Sequence, residues 1–255
     1  MTMLRRAIER LSHGVTLKSR LPERFGNFPI IVSPDARLGF WNRNVDAIDP
    51  TLLAVAEKYV REGNVVWDVG ANVGVFALAS AAKAGPSGFV LAIDGDTWLV
   101  DLMRRTCRLE SSPRAPIEVL PAAVDREMGV ATFNIANRGR AANFLEGTGS
   151  TQTGGSRQQQ RVVSVTLDWL LQHFRKPDIL KIDVEGAELR ALSGAKKILD
   201  EVRPTIVCEV SADNARAVTD LFASHGYTLY DMERIGTEPQ ASLALATANV
   251  IALPG

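Results

Sequence analysis

Val65-Val66-Trp67-Asp68-Val69-Gly70-Ala71-Asn72-Val73-Gly74-Val75-Phe76 decides the fold. Val65 to Val69 is an apolar, β-branched run broken by one acid. That is the pattern of a strand buried in a parallel sheet. Gly70 to Gly74 reads as a tight turn, with small residues where a side chain would obstruct. From Val75 the apolar positions Phe76, Leu78, Ala79 and Ala82 fall at helical spacing, with no breaker before Gly85. Strand, glycine turn and helix make the first unit of a nucleotide-binding α/β domain. The turn lets backbone approach a ligand, and the helix start offers free N–H groups.

The spacing then separates the candidate ligands. A dinucleotide fingerprint is G-x-G-x-x-G. Here Gly70 and Gly74 are separated by three residues, and Asp68 stands two before the first glycine. Asp68-Val69-Gly70-Ala71-Asn72-Val73-Gly74 resembles the first motif of class I S-adenosylmethionine-dependent methyltransferases. A sulfonium with an amino-acid tail has no pyrophosphate to cradle. It needs a carboxylate near its ammonium group and a turn that admits the tail; Asp68, Asn72 and the two glycines supply these.

Working outward, Gly88 to Ile93 reads as a second buried strand ending at Asp94-Gly95-Asp96. An acid there can accept hydrogen bonds from both ribose hydroxyls, which assigns Asp94 to the ribose. Asp96 reads as the cap of the helix that follows. Ile117 to Leu120 is a third strand, followed by Ala122 and Ala123, small enough to lie beside adenine. Val130 to Ile135 and Arg161 to Val165 are two strands that could pair. The stretch 136–160 between them has five glycines and three arginines, and is expected to be a mobile segment or a lid. Thr166 caps a helix from Leu167. Asp178 to Ile182 is the fourth main strand and leads into Lys181-Ile182-Asp183-Val184-Glu185-Gly186-Ala187-Glu188. Strands near Pro204–Val210, Tyr227–Tyr230 and Thr247–Leu253 complete the alternation. It predicts a mostly parallel sheet with helices on both faces.

Length and composition narrow the function. The chain has 255 residues, 46% hydrophobic and 23% charged, with 29 basic and 29 acidic side chains. Zero net charge gives no case for a nucleic-acid partner. Cys107 and Cys208 cannot make a disulfide framework, so a reducing, cytoplasmic setting is the default. No apolar run reaches membrane-span length, and the N-terminus lacks a signal core. Residues 1–24 carry six basic and two acidic side chains around an amphipathic helix. That segment could make weak peripheral contact with an anionic membrane, though a helix packed on the core or on a second subunit is the simpler reading. Residues 1–60 are expected to form an N-terminal helical and loop cap, and 61–255 the main domain.

Both motifs together resemble the FkbM family of methyltransferases, over roughly residues 60–255 by motif order. The parts are Asp68 to Gly74, the acid after strand two, Thr166-Leu167-Asp168, Lys181 to Glu188, and Arg203-Pro204 leading to Glu209. One departure is visible: where the family has a Glu-Pro pair after strand two, this chain has Asp94-Gly95. The resemblance implies a class I (Rossmann-like) α/β fold with a seven-stranded sheet and a final antiparallel strand. It also implies O-methylation of a hydroxyl on a sugar, glycan or natural product, with S-adenosylmethionine as cofactor.

Hydroxyl methylation needs the oxygen to lose its proton while standing about 3 Å from the methyl carbon. A carboxylate can act as base, or a divalent cation such as magnesium can lower the hydroxyl pKa. Asp183, Glu185 and Glu209 are placed to do either, and catechol-type enzymes offer an analogy for the metal. Lys181 is expected to share a face with Asp183 only if the strand has already turned. Glu188 is expected at a helix start or on the surface. Three rivals stand beside this reading. A nicotinamide-dependent oxidoreductase is disfavoured by the missing third glycine. A nucleic-acid methyltransferase is disfavoured by Asp183-Val184-Glu185-Gly186 where an N/D-P-P-Y/F element would stand. A non-catalytic cofactor-binding module of the same fold is the third.

Overall fold

A computed structural model describes residues 3–109, 113–148, 153–235 and 241–255. The chain opens with α1 (Met3–Leu11), a hairpin of β1 (Leu17–Arg20) and β2 (Pro29–Val32), then α2 (Val45–Ile48) and α3 (Pro50–Tyr59). The main alternation follows: β3 (Val65–Val69), α4 (Val75–Ala84), β4 (Phe89–Asp94), α5 (Thr97–Cys107) and β5 (Ile117–Pro121). Four further strands come next: β6 (Ala123–Val124), β7 (Gly129–Ala136), β8 (Phe144–Leu145) and β9 (Ser156–Val165). The chain then runs through α6 (Leu167–Leu170), β10 (Ile179–Ile182), α7 (Glu188–Ser193), β11 (Thr205–Glu209), α8 (Ala215–Ser224), β12 (Tyr227–Asp231) and β13 (Asn249–Pro254).

The central sheet has seven strands in the order β12-β13-β11-β10-β3-β4-β5. β13 runs antiparallel to both its neighbours, and the pairs from β11 to β5 are parallel. The final strand is therefore the antiparallel one, as expected. β3 sits in the middle and is buried at every position. Its side chains alternate between two cores. Val66 packs with α4 and α5 on one face, while Val65, Trp67 and Val69 pack with β10 and β11 residues on the other. Trp67 is fully buried, and its indole N–H donates to the Arg175 carbonyl at 3.1 Å.

Leu21, Phe25, Ile30, Phe40 and Leu53 belong to the same core as α4 and α5, so the segment 21–53 packs against that core. The Ile31 N–H donates to Thr106 Oγ1 at 2.9 Å, tying β2 to α5. On α1, Ile8 and Leu11 are exposed. No helix among the described residues is long and apolar enough to cross a membrane.

The stretch 136–160 differs from its expectation. β7 and β9 pair antiparallel from Gly129↔Ser164 to Ala136↔Ser156, and with β6 and β8 they form a second sheet of four strands. Ser156–Gln160 is strand even though it is polar, because it gains partners across the ladder: Gln159 donates to the Asn134 side chain at 3.1 Å. Residues 149–152 lie outside the described residues.

Candidate active site

β4 and β5 leave β3 on one side and β10 adjoins it on the other, so the chain reverses its winding between β3 and β10. Ligands of open α/β sheets bind at such a switch point, beyond the carboxyl ends of the strands. The turn after β3 and the end of β10 meet there. Gly70, Asn72 and Gly74 all have positive φ, at 75°, 54° and 85°. Ile93 accepts from the N–H groups of Gly70 and Ala71 at 2.9 and 3.0 Å. A Cβ on Gly70 would stand 1.7 Å from the Asp183 carbonyl oxygen, and one on Gly74 would press on Met103 at 3.1 Å. The neighbouring strand and helix by themselves require glycine at both positions.

Asp94 holds the turn from the second strand. Its carboxylate accepts from the Asn72 N–H and the Asp96 N–H, each at 2.8 Å. Burial pushes its pKa up to about 7, against the pull of those donors. Asp96 caps α5, accepting from the Trp98 N–H at 3.0 Å. Gly95 has a local reason: a Cβ there would stand 2.8 Å from the Phe133 ring. Phe133 comes from β7, so the second sheet occupies the place a proline would fill.

Lys181 links the two central strands. Its Nζ donates to Asp68 Oδ1 and to the Gly70 carbonyl, both at 3.0 Å, and lies 3.3 Å from Asp183 Oδ2. No turn is needed to bring Lys181 and Asp183 together, because residues two apart on a strand share a face. Burial opposes the Lys181 charge, but the two carboxylates outweigh it and hold the ammonium above the usual lysine range. Burial raises the Asp68 pKa above the usual carboxylate range, while the Lys181 ammonium, donating to it at 3.0 Å, pulls it back down.

Beyond the strand ends, one carboxylate oxygen each from Asp183, Glu185 and Glu209 lie within 4.8 Å of one another. Burial, with the like charges of Asp183 and Glu188, pushes Glu185 up to about 7. Burial, with Asp183 beside it, pushes Glu209 up to about 9, although Glu209 stays open to the cleft's water. Glu185 also has φ 48°, a left-handed conformation that a glutamate adopts at some cost. Glu188 begins α7 as expected but is buried, accepting from the Gly186 N–H at 2.7 Å.

These groups line a cleft of about 670 Å³. Gly70, Asn72, Asp94, Ala122 and Ala123 lie along it, as do Lys181, Asp183, Glu185 and Glu209. Asp68 and Gly74 stand behind that lining; Asp68 reaches it only through Lys181. The cleft also has walls that the motifs do not announce. Arg140 and Asn143 come from the segment between β7 and β8, and Thr51, Glu233 and Asn249 from α3, the turn after β12 and β13. Arg140 donates to Asp35 at 2.9 Å, pairs with Asp96, and stacks over Trp98 at 4.4 Å. Nothing local in the sequence marks these residues; their partners lie far along the chain.

The methyltransferase FkbM domain matches residues 68–229. The chain belongs to the FkbM methyltransferase family. Hexuronic acid methyltransferase AglP of Haloferax volcanii is 30% identical over 164 residues, which cover 64% of this chain and 62% of that protein. Among solved structures, the FkbM methyltransferase of Methylobacillus flagellatus aligns with a TM-score of 0.47 and 14% identity, covering 74% of this chain and 43% of that one. The C-terminal domain of precorrin-6Y C5,15-methyltransferase from Rhodobacter capsulatus gives 0.44 and 15%, covering 80% and 87%.

An FkbM methyltransferase takes its methyl group from S-adenosylmethionine, and this cleft has features that fit it. Asn72 lines the cleft, and its side-chain Oδ1 is buried with no hydrogen-bond partner among the described residues. A buried acceptor without a donor is costly, and Asn72 stands where a ligand's ammonium group could supply one. The acids past β10 offer negative charge to a sulfonium.

Proposed function

We propose that this protein methylates a hydroxyl of a sugar or glycan. The observation that carries the reading is the meeting of Asp183, Glu185 and Glu209 at the mouth of the turn that Gly70 begins. The name of the Haloferax relative, which acts on a hexuronic acid, supports a sugar acceptor. In this reading Asn72, with Asp68 behind it, receives the cofactor's amino-acid tail. Gly70 and Gly74 shape the turn, Asp94 receives the ribose, and Ala122 and Ala123 flank the adenine. Bound S-adenosylmethionine supplies an electrophilic methyl group on a positive sulfur.

Glu185 is the group best matched to accept the hydroxyl proton, since its pKa of about 7 balances availability against basicity at neutral pH. It takes the proton as the oxygen–carbon bond forms and the carbon–sulfur bond breaks, leaving a neutral thioether. Asp183, fixed by Lys181, orients the hydroxyl and faces the developing charge. A second reading uses the same three carboxylates to hold a divalent cation, whose chemistry would be to lower the hydroxyl pKa. Asp183→Asn tests the site. It should bind S-adenosylhomocysteine normally and lose turnover by about a hundredfold. Near-normal turnover would leave Asp183 as a residue that merely favours the start of α7. Loss of activity on chelation, restored by magnesium, would select the metal reading.

A further inference from the structure

We infer that the acceptor is an uncharged or amino-bearing polyol rather than a uronate, and that Glu233 helps set this preference. The inference rests on the methyltransferase reading of the cleft. It starts from how the lining charges are spent. Three basic side chains line the cleft: Arg37, Arg140 and Lys181. Arg37 pairs with Asp49, Arg140 with Asp35 and Asp96, and Lys181 with Asp68 and Asp183. Each of these cations thus already faces at least one carboxylate. Against those three cations the lining carries six acids, Asp49, Asp94, Asp183, Glu185, Glu209 and Glu233.

The acids facing the acceptor side are not matched in this way. Glu185 and Glu209 crowd Asp183, and Glu233 stands at the rim on the turn after β12. A uronate carboxylate placed among them adds negative charge to a cluster in which Glu185 and Glu209 already resist losing their protons, which is the usual way a site rejects a wrong partner.

Glu233 is also built to read hydroxyl or ammonium groups. Its Oε1 accepts from Asn249 Nδ2 and its Oε2 from Thr51 Oγ1, both at 3.2 Å. Two donors from α3 and β13 thus fix the carboxylate's orientation. Each oxygen keeps a free lone pair, and the Asn249 carbonyl and Thr51 hydroxyl remain as further acceptors. Such a rim suits vicinal hydroxyls, or an amine, better than a second anion, which would meet the Glu233 carboxylate.

The test compares three matched methyl glycosides, the glucoside, the glucosaminide and the glucuronide, titrated onto the full chain saturated with S-adenosylhomocysteine. Ligand-observed NMR gives the affinities. The glucoside and glucosaminide should bind at least about tenfold tighter than the glucuronide. Glu233→Lys should shrink that gap to about threefold or less, by weakening the glucosaminide and strengthening the glucuronide. Glu233→Gln, which keeps the shape, should weaken the glucosaminide more than the glucoside. A glucuronide that binds as tightly as the others overturns the inference, as does binding by none of the three. S-adenosylhomocysteine is titrated first: its failure to bind would overturn the methyltransferase reading itself, whereas its binding with a uronide preference would overturn only the acceptor class.

Discussion

Lys181 on β10 donates to Asp68 on β3 across 3.0 Å, with both side chains almost fully buried. The pair joins the two strands at the switch point, and its second contact, to Asp183, reaches the acid cluster. Breaking a buried ion pair from one side strands the other charge, at a cost of about 3–5 kcal/mol. Lys181→Met should therefore lower the unfolding free energy by about that amount at pH 8, measured by urea denaturation. Without its lysine, the folded-state pKa of Asp68 rises further above its unfolded value. The variant's stability should then be best at acid pH and fall as pH rises. A variant with an unchanged denaturation midpoint would show that the strands are held by the sheet alone.

Asp94 holds the turn after β3 and is proposed to receive the ribose, and its substitution should show both. A carboxylate that accepts from ribose hydroxyls is worth about 1.5–3 kcal/mol, so Asp94→Ala should weaken S-adenosylhomocysteine binding at least about tenfold. The Asn72 and Asp96 N–H groups lose their acceptor at the same time. Asp94→Ala should therefore also speed hydrogen exchange at Asn72 in the ligand-free protein. Asp94→Asn keeps one carbonyl acceptor and should fall between. Unchanged affinity in Asp94→Ala would move the ribose elsewhere.

The sequence made the wall of the cleft formed by the β3 turn and the ends of β4 and β10 legible, and left much of the opposite wall unread. Val65–Val69 and Gly70–Gly74 declare themselves because strand burial, turn and helix start follow one another without interruption. Asp94, Lys181 and Asp183 are tied to strand ends, where their position along the chain fixes their position in space. Ser156–Gln160 was misread because its strand character comes from cross-strand partners, not from apolar alternation. Thr51, Glu233 and Asn249 meet only after the sheet is assembled, and a polar residue at a loop or strand end carries no local signature. Arg140 hides in the same way: its partners, Asp35 and Asp96, come from the N-terminal segment and from the start of α5.

The acids of the cleft predict a sign for the pH dependence. Asp94 and Glu185 are raised to about 7 and Glu209 to about 9, all above their unfolded values. The folded chain thus holds protons that the unfolded chain gives up. The stability from these groups is complete below the unfolded pKa and is lost as pH rises through the folded values. Between pH 6 and 9 the ligand-free Tm should fall, and Glu209→Gln should reduce that fall by about 2–4 °C, the scale of one kcal/mol in a chain of this size. Water in the cleft screens Glu209, which keeps the effect well below that of a fully buried group. Binding runs the other way. S-adenosylmethionine carries a positive sulfur and should bind more tightly as pH rises from 6 to 9, while S-adenosylhomocysteine changes less. Calorimetry in buffers of different ionisation enthalpy would show the protons released. Equal pH slopes for the two ligands would place the sulfur away from the acids.

Gly95 and Phe133 give a test of how the second sheet shapes the cofactor site. A Cβ on Gly95 would stand 2.8 Å from the Phe133 ring, and both residues line the cleft next to Asp94. Phe133 cannot simply leave, because β7 pairs it with Leu145 on one side and Gln160 on the other. Gly95→Ala should therefore push the ring into the cleft or tilt Asp94, and weaken S-adenosylhomocysteine binding while the protein stays folded. Gly95→Pro, which also adds a Cβ facing the Phe133 ring, should do the same or worse. Phe133→Ala removes the obstacle. In the Phe133→Ala background, Gly95→Ala should cost little, giving a coupling of about 0.5–3 kcal/mol in a double-mutant cycle of binding free energies. Strict additivity would show that the glycine serves the backbone of the Asp94–Asp96 turn and that the ring is only a neighbour.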